Sequence, residues 1–168
     1  EGSVYGGCYN SGHVNGNVII NINQDLMERD VIFAEPDPAD PYKIKSEDER
    51  RTGVLKEAQG DDVMASALAV YGGGYGPSTA TSDDVTVTIG SSSIANEPAI
   101  YGDVYGGSAK GNINAADKNT VVTLNKGTIH GDLYGGGLGD GSHAAQVNGA
   151  VQVNVNGGTV ENVFGCNN

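Results

Sequence analysis

The chain has 168 residues, 27 of them glycine, with no tryptophan and only two phenylalanines, so it lacks the bulky side chains that ordinarily fill a globular core. A formal net charge of −12 disfavours nucleic acid or an anionic membrane surface as partner, since both are gripped by clustered lysine and arginine. No stretch approaches the ~18 consecutive apolar residues of a membrane span, and two cysteines do not make a disulfide scaffold.

In chain order, the first recognisable unit is Val4-Tyr5-Gly6-Gly7-Cys8, an apolar residue, an aromatic and glycines. It returns as Val70-Tyr71-Gly72-Gly73-Gly74, Val104-Tyr105-Gly106-Gly107-Ser108 and Leu133-Tyr134-Gly135-Gly136-Gly137, and in decayed form as Val163-Phe164-Gly165-Cys166. Tyr71, Tyr105, Tyr134 and Phe164 are 34, 29 and 30 residues apart, and the 66 residues from Tyr5 to Tyr71 hold one period plus an insertion. A period of this length marks a repeat architecture.

Between the units runs a second pattern, Val18-Ile19-Ile20-Asn21-Ile22, matched by Val85 to Ile89, Thr120 to Leu124 and Val151 to Val155. Strict alternation with β-branched residues predicts a strand with one buried face. The predicted inward set is Val18, Ile20, Ile22, Val85, Val87, Ile89, Thr120, Val122, Leu124, Val151, Val153 and Val155. Five residues later a second apolar position follows at Ile94, Ile129 and Val160, after a turn at Gly90, Lys126-Gly127 or Gly157-Gly158. A third precedes the aromatic, at Val104, Leu133 and Val163. Each period therefore reads as a long strand, a corner, a short strand, a second corner and a strand ending in the aromatic, with the following polar loop absorbing differences in length.

Stacking such periods in register would give every backbone N–H and C=O a partner in the neighbouring coil. Parallel crossovers are almost always right-handed, so the predicted fold is all-β: a right-handed parallel β-helix, or solenoid, of ~30-residue coils over residues 1–168. A flat or left-handed solenoid and a β-propeller are the alternatives. One aromatic-glycine unit stands near each end with no polar capping segment, so the expectation is of a segment within a longer series of coils.

Residues 24–69 break the pattern. Of the chain's 21 acidic and 9 basic residues, 12 and 6 fall in residues 24–70. Three prolines in Glu35 to Pro41 remove strand donors and predict an extended surface excursion. Ser46-Glu47-Asp48-Glu49 fits a capping box, predicting a short helix to about Ala58, and Asp61-Asp62 opens a second candidate helix. The segment is expected to form an acidic, partly helical flap on the outside of the coils.

Candidate chemistry is sparse. A polysaccharide-cleaving β-helix needs carboxylates on adjacent long strands, for calcium or acid-base work. The outward positions here are Ile19, Asn21, Thr86, Thr88, Val121, Thr123, Gln152 and Asn154, none charged, so no catalytic residue is assigned and the chain is read as a non-enzyme. The pair Thr86 and Thr88 resembles a threonine ladder of ice-binding solenoids, in one coil only. Gly136 to Gly141 misses the aspartate of calcium-binding nonapeptide repeats, and the pairs Asp61-Asp62, Asp83-Asp84 and Asp37 with Asp40 read as solvated surface. His13, His130 and His143 have no metal-like spacing, so no metal or cofactor is expected. The glycine runs precede loops and strands rather than helices, which excludes a phosphate cradle. Cys8 and Cys166 lie four periods apart, ~19 Å at ~4.8 Å per coil, too far for a disulfide that needs Cα atoms within ~7 Å.

The feature most open to function is the row Tyr5, Tyr71, Tyr105 and Tyr134, continued by Phe164. If the preceding valines and leucine face inward, alternation turns the rings outward, where they could bind sugar faces or else stack on one another and under loops.

The alternating strand, Gly-Gly-Thr-Val turn and apolar-aromatic-glycine unit of Val151 through Gly165 resemble the glycine-rich repeats of very large secreted surface proteins of Bacteroidota, and more distantly autotransporter passenger repeats. The resemblance covers nearly all of the chain outside 24–69. It implies a bacterial, extracellular or cell-surface structural or adhesive module, whose partners are neighbouring repeats of the same or an identical chain, stacked head to tail, and a glycan or host surface. A carbohydrate-binding module using the tyrosine row and an accessory part of a polysaccharide-active enzyme are the alternatives.

Overall fold

The computed structural model describes residues 3–26, 69–113 and 115–168; the candidate helices, the proline-rich excursion and nearly all of the acidic insertion lie outside the described residues. Within them the protein is all-β, with strands pairing in parallel and no helix.

The alternating segments form the longest strands. They are β3 (Val18–Ile22), β6 (Val85–Ile89), β10 (Asn119–Leu124) and β13 (Ala150–Val155), ordered β3-β6-β10-β13 in one parallel sheet. Ile20, Val87, Val122 and Val153 stand opposite one another, as do Ile22, Ile89, Leu124 and Val155. A one-residue slip would turn every valine to solvent, so burial of one face fixes this register. The valine-aromatic units form a five-stranded parallel sheet of two-residue strands, β1 (Val4–Tyr5), β4 (Val70–Tyr71), β8 (Val104–Tyr105), β12 (Leu133–Tyr134) and β15 (Val163–Phe164). A third parallel sheet joins β7 (Ala99–Ile100), β11 (Thr128–Ile129) and β14 (Thr159–Val160), with Leu26 bridging to Ile100.

Two sequence expectations need correction here. Ile129 is matched by Ile100 rather than by Ile94, because residues 91–98 loop out after Gly90 before the short strand begins. The stretch after the glycines is also not merely loop: β2 (Tyr9–Val14), β5 (Tyr75–Thr81) and β9 (Asn112–Ile113) form a fourth parallel sheet. Its pattern was hidden by serine, glycine and asparagine, but Thr79, Thr81 and Ile113 are buried.

Side chains from all four sheets meet in one aliphatic core, which includes Val18, Ile20, Val70, Val85, Val87, Ile100, Val104, Ile113, Val122, Leu124, Ile129 and Leu133. Burial of each such side chain contributes roughly 1.5–3 kcal/mol relative to leaving it in water. Glycine sets how tightly the repeats approach. A Cβ on Gly106 would lie 2.4 Å from the Gly135 carbonyl oxygen and 2.7 Å from a Val122 methyl, so the chain can turn there only without a side chain. The corner after the long strand is held by amides: Asn156 donates to Asn125 Oδ1 at 2.9 Å, and Asn125 donates to the Gly90 carbonyl at 3.2 Å.

Candidate functional site

The two-residue strands that send Val70, Val104 and Leu133 into the aliphatic core send the next residue to the opposite side, as alternation requires. The rings do not meet solvent there. Tyr71 and Tyr105 are fully buried and Tyr134 is 8% exposed, in a second core with Ala69 and Ala109 against which Tyr75 and Leu138 pack. Successive rings are nearly parallel: Tyr5 to Tyr71 at 5.2 Å and 2°, Tyr71 to Tyr105 at 5.0 Å and 5°, Tyr105 to Tyr134 at 4.9 Å and 5°, Tyr134 to Phe164 at 4.9 Å and 13°. The expected outward row is thus a self-stacked column. Both faces of Tyr71, Tyr105 and Tyr134 are covered by neighbouring rings and closed to a sugar, whereas Tyr5 at one end is half-buried and Phe164 at the other is 39% exposed.

The spacing of the strands explains the column. Parallel strands lie ~4.8 Å apart, so identical rings on equivalent residues arrive at contact distance with no adjustment of the backbone. Burial pushes the phenols of Tyr71 and Tyr105 well above their ordinary value and that of Tyr134 up to about 12, so all three are neutral donors. Two of them use that proton within their own repeat: Tyr105 donates to Asp103 Oδ2 at 2.9 Å and Tyr134 to Asp132 Oδ2 at 3.2 Å. Asp103 also accepts the backbone N–H of Asp132 at 2.8 Å, and Asp132 accepts Nδ2 of Asn162 at 2.8 Å, so these carboxylates tie one repeat to the next. Burial raises the Asp103 carboxyl above its usual range, opposed by the donated N–H and O–H and reinforced by the charges of Asp132 and Glu161.

The aromatic surface that does reach solvent was missed in the sequence. Tyr9, 67% exposed, stacks on Tyr75 at 5.2 Å and 12°, and Tyr5 sits edge-on to both. The available signal was the tyrosine four residues after each of the first two aromatics, Tyr5 to Tyr9 and Tyr71 to Tyr75. A second surface pair, Tyr101 on His130 at 4.3 Å, stands directly after the strands β7 and β11.

The other candidate groups are placed apart. His13 bonds the Ser82 hydroxyl, and His143 sits on Asp140, whose carboxyl is held well below its usual range by Lys110 at 2.9 Å and by the N–H groups of Ser142 and His143. Lys118 pairs with Asp83 at 2.7 Å, and Asp84 accepts the Asn119 N–H at 2.7 Å, so both acids of that pair serve the loops leading into β6 and β10. Among the described residues no three histidine, cysteine, aspartate or glutamate side chains converge as a metal site. Cys8 and Cys166 are both free thiols. On the outer face of the long strands Gln152 donates to Asn154 at 2.9 Å and Asn154 to Thr123 at 3.3 Å, an uncharged surface with no acid-base pair.

No family model matches the chain, and neither curated proteins nor solved structures give a match.

Proposed function

We propose that the chain is a non-catalytic structural or adhesive repeat module of an extracellular or cell-surface bacterial protein, folded as a right-handed parallel β-helix. The observation that carries this reading is the self-stacked column from Tyr5 to Phe164. The most distinctive residues of the repeat are spent on holding one repeat to the next, and the carboxylates beside them accept bonds rather than face a substrate. The connectivity supports the helix: each repeat adds a strand in parallel to the same sheets, and parallel crossovers are right-handed in nearly all cases. A rod of stacked repeats serves reach and display, with loops as the variable surface. Small-angle scattering gives the test of shape and surface labelling of the producing cells the test of place. A compact, isotropic particle, or one found only inside the cell, would refute the reading.

A carbohydrate-binding role is favoured by one specific observation, the exposed ring of Tyr9 seated on Tyr75. Glycan-array binding that is lost in Tyr9→Ala, with an unchanged fold, would establish it; retention of binding in that variant would dismiss it.

A further inference from the structure

The aromatic column combines three properties. Its rings are continuous: from Tyr5 through Tyr71, Tyr105 and Tyr134 to Phe164, neighbours stand 5.2, 5.0, 4.9 and 4.9 Å apart and within 13° of parallel, so each π face overlaps the next. It has a contact close to the surface, because Tyr75, half-buried on the middle strand of its sheet, packs against the column and meets Tyr5 edge-on at 5.6 Å. Its central phenol also has a base in place. Tyr105, fully buried, donates to Asp103 Oδ2 at 2.9 Å, and its oxygen accepts Asn168 Nδ2 at 3.3 Å.

A phenol that loses one electron becomes a strong acid, so tyrosine is oxidised readily only where an acceptor takes the proton at the same moment. Asp103 Oδ2 already receives that O–H. The transfer also removes a buried charge: the Asp103 carboxylate is disfavoured by burial and by the charges of Asp132 and Glu161, and once protonated it is neutral, as is the phenoxyl oxygen. Tyr134 has the same arrangement with Asp132, but its bond is longer, 3.2 Å, and the residue keeps 8% exposure. Phe164 has no hydroxyl and closes the path at that end. Burial shields a radical on Tyr105 from the radicals of other chains, with which an exposed ring would couple into dityrosine.

We propose that the column is a path for one-electron oxidation, leading from Tyr75 through Tyr5 and Tyr71 to Tyr105, where the oxidising equivalent rests as a neutral phenoxyl radical. The oxidant is a one-electron acceptor of the peroxidase-intermediate or photo-oxidised metal-complex class. It gains one electron, the Tyr105 O–H bond breaks, an O–H bond forms on Asp103 Oδ2, and no atom leaves the protein. A one-electron donor such as a thiol or ascorbate reverses the step, the proton returning from Asp103 to the phenol. The proposal goes beyond the structural or adhesive reading and holds for either.

The test is flash oxidation of the whole chain from a fixed point. In a chain carrying Cys8→Ser and Cys166→Ser, Ser78→Cys puts a thiol at an exposed position of β5, three residues after Tyr75. A ruthenium polypyridyl attached there is photo-oxidised in the presence of a soluble electron acceptor. Electron paramagnetic resonance is expected to show a long-lived neutral tyrosyl radical whose hydrogen-bond coupling changes in deuterated water. Tyr105→Phe keeps the ring and the stack and is expected to abolish that signal. Asp103→Asn keeps an acceptor that cannot hold the proton, and is expected to lose most of the signal with unchanged circular dichroism. Tyr134→Phe is expected to leave the signal in place, and Tyr71→Leu, which interrupts the path, to delay its appearance. A signal that survives Tyr105→Phe, is indifferent to Asp103→Asn, disappears in Tyr134→Phe or rises as fast in Tyr71→Leu would overturn the proposal, as would a parent chain that yields only dityrosine.

Discussion

The repeat around β10 and the repeat around β13 have the same pattern and different surroundings. Val122 and Leu124 of β10 carry no exposed surface; their neighbours in register, Val153 and Val155, are half-buried and 48% exposed. Tyr105 is fully buried between two rings and Phe164, with one ring beside it, is 39% exposed. A repeat here is stabilised by what lies on both sides of it and only weakly by itself, the nearest-neighbour energetics expected of stacked units.

Glycine gives the largest contrast between the two. Gly106→Ala forces a Cβ against the Gly135 carbonyl and is expected to cost about 3 kcal/mol, whereas Gly165→Ala, with open space where its Cβ would sit, is expected to stay within ~0.5 kcal/mol. Urea titration of both variants reads this directly, and equal costs would break the comparison. Next comes valine truncation: Val122→Ala is expected to lose about 2 kcal/mol and Val155→Ala less than half of that. Ring removal follows, with Tyr105→Leu expected to lose about 1.5 kcal/mol from two stacked contacts and Phe164→Leu about half as much from one.

The smallest effect sharpens the comparison through pH. The Asp103 carboxyl is raised above 3.8 in the folded protein, so between that value and its folded pKa the native state holds more proton than the unfolded state. Stability from this group is therefore greatest at low pH and falls as pH rises through the raised value. The fifth unit already places an asparagine, Asn162, at the equivalent position. Asp103→Asn keeps an acceptor for the Asp132 N–H, removes the buried charge, and is expected to be more stable at neutral pH by less than ~1 kcal/mol. The urea midpoint of the variant, followed from pH 4 upward, is expected to fall less than that of the parent chain.

Much of this organisation was legible in the sequence because like residues stack on like. The inward residues from Val18 to Val155, and the alternation of valine and ring across β4, β8 and β12, follow from period and strand geometry alone. The fate of the rings was left open between self-stacking and a sugar-binding row, and the structure shows the stack. Strand alternation says that Tyr71 and Tyr105 leave the aliphatic core, but not that Ala109 and Tyr75, from a stretch too polar to read as strand, would cover the side they reach. The same polarity hid β2, β5 and β9, whose buried threonines Thr79 and Thr81 do not register as apolar. The misplacement of Ile94 has a simpler cause: spacing alone cannot distinguish a strand residue from one in a loop of similar length, and the pairing of Ile129 with Ile100 identifies the true partner. The candidate site suffered most, since exposure of an aromatic is decided by neighbours distant in sequence.

One consequence of the ladder concerns force. The backbone bonds that pair the strands run from one repeat to the next, as from Gly106 N–H to the Tyr134 carbonyl and from Leu133 N–H to the Asn162 carbonyl. Tension applied perpendicular to the strands, within the sheets, would load these bonds lengthwise and separate one repeat from the next. Tension applied along the strands would instead load the covalent backbone, so the sheets yield more readily in one direction than in the other.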